Sequence, residues 1–181
     1  MQYHRNKSKL KVFTKNGKYF YICLVRNQKI QKTPEEEIRQ LLLYHLINEK
    51  QVPIENIWVE GALTSVFSDI THKGRFDIMI YEDKKVKKSD IREIIALFEC
   101  KKAGGNLELA DNQIYDYNRE LGAIFSVITN GKETFIEYVN LKKDRIELLT
   151  DLPMFKDMKK FKTGGFEVAY FDKKGKVQPI K

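Results

Sequence analysis

The sequence predicts an α/β fold: a mixed β-sheet flanked by helices, with an N-terminal β-hairpin ahead of it. Three observations predict this. Two segments with apolar residues at helical spacing, near residues 34–49 and 107–121, alternate with short β-rich runs. Residues 94–98 are uninterruptedly apolar, as in a strand buried on both faces. Asn16-Gly17 separates two β-rich runs, and both residues tolerate the positive φ of a tight hairpin turn.

The elements follow in order. Residues 10–15 and 19–25 form the predicted hairpin. Thr33 is a helix N-cap, Pro34 suits the first helical position, and Glu36 completes a capping box. This helix reaches about residue 49. Ile38, Leu41, Leu42, Leu43, Tyr44, Leu46 and Ile47 make it apolar on most faces, hence buried. Residues 57–60 read as a short strand, followed by a loop as far as Gly74. Phe76, Ile78 and Ile80 then alternate with Asp77, Met79 and Tyr81, a period-2 strand. Residues 82–90 read as a charged turn and 91–101 as the next strand. Gly104-Gly105 ends it. Leu107, Ala110, Ile114, Tyr117 and Leu121 form a helical stripe, and Gly122 is its expected C-terminal cap. Residues 123–129 are a buried-looking strand, turned by Asn130-Gly131 into a strand at 134–139. Strands are expected at 145–149 and 166–171, with a basic loop or short helix at 155–162.

Length and composition bound the class. The 181 residues, 42% apolar and 32% charged, suit one domain with a real core. The expected division is a basic arm at 1–33, a core at 34–139 and a basic extension at 140–181. No apolar run nears the roughly 18–20 residues that span a bilayer. The first ten residues lack the apolar segment of a secretory signal. Cys23 and Cys100 are too few for a disulfide framework. A soluble, cytoplasmic protein without membrane contact is expected. The net charge is +8, and residues 1–34 hold nine Lys/Arg and no acid. A polyanion such as nucleic acid suits that balance, and so does plain solubility.

The chemistry concentrates at Glu99-Cys100-Lys101. Alternation puts Glu99 and Lys101 on one face, about 7 Å apart along the strand, with Cys100 facing the other way. Charged groups at the end of a buried strand are costly unless paired or used. Asp77 offers a second carboxylate on the earlier strand. Two carboxylates on adjacent strands suit a hard cation such as Mg²⁺, and Lys101 could orient water or stabilise negative charge. Each residue also has a plainer reading. Asp77 could mark the solvent face of its strand, and Glu99 with Lys101 a surface ion pair.

Taken together, these residues resemble the PD-(D/E)xK nuclease superfamily, most closely the N-terminal nuclease domain of type I restriction enzyme R (motor) subunits. The resemblance covers Pro34-Glu35-Glu36-Glu37-Ile38-Arg39-Gln40, Gly74-Arg75-Phe76-Asp77-Ile78-Met79-Ile80, Phe98-Glu99-Cys100-Lys101, Gln113-Ile114-Tyr115-Asp116-Tyr117 and Ile128-Thr129-Asn130-Gly131. It implies the restriction-endonuclease-like fold and a catalytic set of Asp77, Glu99, Lys101, Gln113 and Tyr117. It implies a metal set of Asp77, Glu99, Cys100 and a first-helix glutamate, best matched by Glu36, with Glu35 the near alternative. Mg²⁺ is the implied cofactor, with Mn²⁺ as substitute.

The implied function is a Mg²⁺-dependent endonuclease acting on DNA in a restriction or other DNA-processing system. Motor or methyltransferase subunits are its implied partners. The alternative is a weakly active or inactive nucleic-acid-binding or scaffold module of such a complex. The sequence departs from a whole R subunit in having no G-x-x-x-x-G-K-[ST] phosphate loop, hence no motor.

Overall fold

Thr33 begins the first long helix as its side chain predicts. In the computed structural model, which describes residues 1, 3–67, 70, 73–86, 89–140 and 145–161, its hydroxyl oxygen accepts from the Glu36 N–H at 3.0 Å. Helix α1 spans Pro34–Asn48, with Glu35, Glu36 and Glu37 in its first turn, where the helix dipole favours negative charge. Before it, strands β1 (Val12–Lys15), β2 (Lys18–Ile22) and β3 (Lys29–Gln31) make a three-stranded antiparallel sheet. Asn16 and Gly17 both take positive φ at the predicted turn. Strand β3 went unread because it is three residues long and offers a single apolar side chain, Ile30.

Among the described residues the main sheet has six strands: β4 (Ile57–Ala62), β5 (Arg75–Val86), β6 (Ser89–Cys100), β7 (Phe125–Thr129), β8 (Thr134–Asn140) and β9 (Arg145–Leu149), in that spatial order. Among these six, only β6 and β7 run parallel, joined through helix α2 (Glu108–Leu121); the other neighbours are antiparallel. A parallel pair needs such a crossover, and the crossover places α2 on one face of the sheet. Gly122 ends α2 at φ 63°, the left-handed cap its position predicts. A short helix, α3 (Phe155–Met158), follows β9. The strand expected at 166–171 lies outside the described residues.

Each face of the sheet has its own core. Ile38, Leu41, Leu42 and Leu46 of α1 pack with Ile78, Ile80, Ala96, Phe98, Cys100 and Val127. The α2 stripe of Leu107, Ala110, Ile114, Tyr117 and Leu121 packs with Phe76, Met79, Ile94, Leu97 and Ile128. The fold is thus the expected mixed sheet with a helix on each face and an N-terminal antiparallel sheet.

One expectation needs correction. Residues 82–90 are not a charged turn: β5 continues to Val86 and β6 begins at Ser89. The ladder continues from Asp83 opposite Arg92 through Lys85 opposite Asp90 to Val86 opposite Ser89. A bulge where the register shifts between Ile80 and Tyr81 places both Ile95 and Ala96 in the α1-side core.

Removing the Thr33 hydroxyl leaves one helix-end N–H without its partner. Thr33→Ala should cost about 1 kcal/mol. For a chain of this size, the melting temperature should fall by about 2–4 °C, measured by circular dichroism.

Candidate active site

The site lies where β5 and β6 meet near the C-terminal end of β6. The register pairs Ile78 with Phe98, which puts Asp77 and Glu99 one step further along the same ladder. Asp77 is buried and both its oxygens are engaged. Oδ2 accepts the Cys100 N–H at 2.6 Å, and Oδ1 accepts from Arg39 Nη2 at 2.6 Å. The carboxylate is thereby fixed between two strands and a helix. Glu99 is buried as well, and its Oε1 accepts from Lys101 Nζ at 2.7 Å. The alternation expected for Glu99, Cys100 and Lys101 is present: the Cys100 side chain is fully buried in the α1-side core. Burial and the Asp77 charge push its thiol well up, so this position meets the site through its main chain.

The charge balance is uneven. Burial, then the Asp77 charge, push the Glu99 carboxyl up to about 7; Lys101 offsets only part of this. For Lys101, burial works against the charge, but the Glu99 carboxylate outweighs it and holds the ammonium above its usual range. Lys101 is therefore a donor at neutral pH. Its Nζ also stands 3.5 Å from Gln113 Oε1, the outer limit of a hydrogen bond.

The two first-helix glutamates take different places. Glu36 is buried and accepts from Arg39 Nη1 and from Gln40 Nε2, the latter at 2.9 Å. Glu35 is half-exposed, lies 3.6 Å from Arg39 Nη2, and is among the charges that push Glu99 up. Glu36 therefore joins Asp77 through Arg39, whereas Glu35 acts electrostatically on Glu99.

Three residues of this network escaped the sequence reading. Arg39 is 5% exposed and bridges Glu36, Glu60 and Asp77. Burial works against its charge, but Asp77 and Glu36 raise its pKa above the ordinary arginine range. Its signal was present: an arginine three residues after Glu36, where the apolar run of the helix begins. Glu60 accepts from Arg26 at 2.6 Å and Arg39 at 3.2 Å. Burial pushes its carboxyl up, but these arginines and Arg75 outweigh that and hold it below the usual range. Glu60 and Arg26 had no sequence signal, because Glu60 is aimed by a left-handed backbone, φ 53°, inside β4.

Tyr117 is buried in the α2-side core and its ring covers Gly74, where an added Cβ would lie 2.6 Å from the hydroxyl. It thus packs over the entrance to β5, three residues before Asp77. Beside these residues opens a cleft of about 520 Å³ lined by Gln31, Glu35, Arg39, Glu60, Arg75 and Lys102, among others.

Among the described residues, no three carboxylate, thiol or imidazole groups converge as a ready metal cage. Asp77 and Glu99 nevertheless fit Mg²⁺, which usually takes one or two carboxylates and fills its sphere with water and phosphate oxygens. The raised Glu99 carboxyl marks buried negative charge that a cation would relieve.

A family model described as the type I restriction enzyme R protein N terminus matches residues 34–153. A solved fragment assigned as an HsdR subunit of a type I restriction enzyme from Vibrio vulnificus YJ016 shares the fold, with a TM-score of 0.50 and 19% identity. That likeness covers 74% of this chain and 26% of the other, so the chain spans about a quarter of the solved one. No curated protein matches the chain. Among the described residues, no helix is long and apolar enough to cross a membrane.

Two outcomes follow from the electrostatics. Glu99 binds its proton more tightly folded than unfolded, so ionising it costs stability as pH rises from about 4.5 to about 7. In metal-free buffer, Glu99→Gln should gain melting temperature relative to wild type at pH 8 and lose that advantage by pH 4. Arg39→Met should cost about 3–5 kcal/mol in urea unfolding, because it strands Asp77 and Glu36 as buried, unpaired acids.

Proposed function

The chain belongs to the family of type I restriction enzyme R protein N termini, and from that premise we propose that it is a Mg²⁺-dependent nuclease module of a restriction system, hydrolysing phosphodiester bonds of DNA. The observation that carries the reading is the convergence of Asp77, Glu99 and a charged Lys101 at one strand end. Asp77, Glu99 and the main-chain carbonyl of Cys100 would hold the metal, with Glu35 nearby. What Mg²⁺ supplies when bound is acidification of water and neutralisation of phosphate charge.

The protein's own groups do the rest. Arg39 and the Cys100 N–H hold Asp77 in one orientation before substrate arrives. Lys101, anchored by Glu99 and steadied by Gln113, presents an ammonium that orients the attacking water and stabilises charge building on phosphate oxygens. Its raised pKa suits that role better than proton abstraction. Tyr117 keeps the start of β5 in place through Gly74. Arg75, 65% exposed on its side chain, and Lys102 line the cleft as partners for the DNA backbone. Motor and methyltransferase subunits are the proposed partners in the complex.

A second reading has its own support. Both Asp77 oxygens already accept hydrogen bonds. That favours a weakly active or non-cleaving nucleic-acid-binding module in which Arg39 stands in for the cation.

Plasmid incubated with the protein separates the two. Cleavage should require Mg²⁺ or Mn²⁺ and stop in EDTA. Asp77→Asn, Glu99→Gln and Lys101→Ala should each lower the rate by about 100-fold or more, with the circular dichroism spectrum retained. Wild-type rates in the Asp77 and Glu99 variants would overturn the nuclease reading. Binding without cleavage under every metal would establish the second.

A further inference from the structure

The nuclease reading leaves the N-terminal sheet unused, and that sheet has two unlike faces. Residues directly opposite in an antiparallel pair share a face, and faces alternate along each strand. The register pairs Phe13 with Phe20, Lys15 with Lys18, Phe20 with Gln31 and Ile22 with Lys29. These seven residues form one face. Val12, Thr14, Tyr19, Tyr21 and Ile30 form the other, which is turned inward at Tyr21 and Ile30. Tyr21 is buried and donates to Glu37 of α1 at 3.0 Å, and Ile30 packs against the α1-side core. The Phe13 face therefore looks outward around Lys15, Lys18 and Lys29, while Phe13 and Ile22 at its other end also border a pocket shared with Gln40 of α1.

That outward face carries three lysines, three apolar side chains and no acid. Phe13 is 41% exposed, and Lys29 Nζ lies 5.5 Å from the centre of the Phe20 ring. Lys15 and Lys18 stand directly across from each other and have no ion-pair partner among the described residues. Like charges in that position cost stability, so folding alone does not account for them. Residues 1–34 contain no acid that could relieve them. An exposed Phe13 beside a half-buried Phe20, flanked by unpaired lysines, fits a ligand with repeated negative charge and flat apolar rings.

We propose that the outward face of β1, β2 and β3 is a platform for single-stranded nucleic acid, on which Phe13 and Phe20 stack bases while Lys15, Lys18 and Lys29 hold phosphates. Stacking needs bases that are not already paired, which favours a single strand over a duplex. The sheet also leads to the candidate active site. Gln31 lies on the platform face and lines the cleft that contains Glu35 and Arg39. A strand crossing the platform is thereby delivered to Asp77 and Glu99. Only this delivery rests on the nuclease reading; the binding does not.

The test uses the full chain in EDTA, so that binding is read without cleavage. Fluorescence anisotropy measures affinity for an oligothymidylate of about 20 nucleotides, an abasic strand of equal length and a duplex. Oligothymidylate should bind about tenfold tighter than the abasic strand. Phe13→Leu/Phe20→Leu keeps the apolar volume but removes the ring faces; it should abolish that tenfold preference and leave abasic binding unchanged. Lys15→Ser/Lys18→Ser, two exposed changes, should flatten the salt dependence of oligothymidylate binding by about 1.4 in log–log slope, at about 0.7 per phosphate contact. Equal affinity for oligothymidylate and abasic strand, or a wild-type preference in the leucine variant, would overturn the platform. So would binding to phosphatidylserine vesicles that depends on the same lysines while oligothymidylate does not bind. Duplex cleavage in Mg²⁺ by the leucine variant should match wild type. Loss of the platform with cleavage intact, or cleavage absent with stacking intact, tells the two failures apart.

Discussion

The candidate site depends on one buried cation, the Arg39 guanidinium. It reaches Glu36 on its own helix, Glu60 on β4 and Asp77 on β5. Taking an arginine and three acids out of water is expensive, and the geometry has to repay it. A planar fork with several N–H groups can do so where a lysine could not, because Nη1 serves Glu36 and Glu60 while Nη2 serves Asp77. Arg26 extends the same network from the segment after β2 to Glu60. The N-terminal sheet, α1 and the first two strands of the main sheet are thus joined at the residues that position Asp77.

This network divides the acids into two groups. Glu60 is balanced by arginines and held below the usual range, whereas at Glu36 burial outweighs the Arg39 charge and pushes the carboxyl up. Glu99 has a single ammonium and faces the Asp77 charge, which with burial pushes it up to about 7. The residual negative charge therefore sits on the Glu99 side, between β6 and the loop that leads to α2. On that side Lys101 and Gln113 also converge. Cys100 supports this asymmetry by giving its N–H to Asp77 while its thiol fills the opposite core.

What could be read in the sequence was whatever a local pattern determines. The period-2 run through Asp77, the buried run before Glu99, the Thr33 cap and the Gly122 cap each follow from neighbouring residues, and each element stands where they indicated. The hairpin extension past Glu82 was missed because a run so rich in charged residues looks like a solvated turn along the chain, whereas the strand pairing that continues it is not visible there. The bulge near Ile80 was missed because the apolar run 94–98 hides which residue is the extra one. Glu60 was missed because only its left-handed backbone turns it towards the arginines. Arg39 was legible as an oddity of an apolar helix, but its partners come from strands about 20 and 40 residues later, which no periodicity reveals.

The location of the site follows from topology. In a sheet whose other neighbours are antiparallel, the β6–β7 pair alone requires a crossover through a helix. At the C-terminal end of β6 the chain must leave the sheet and climb onto the α2 face, and cover falls off there, from Cys100, fully buried, to Lys101, partly exposed. Glu99 and Lys101 occupy that exit. Helix α1 reaches the same place from the opposite face through Arg39, and α2 reaches it through Gln113 and Tyr117. Side chains from both layers can meet there without crossing the sheet. A charged constellation further back along β6 would be enclosed by Phe98 and Leu97, one in each core. At the exit it is buried enough to perturb Glu99 and open enough to border a cleft.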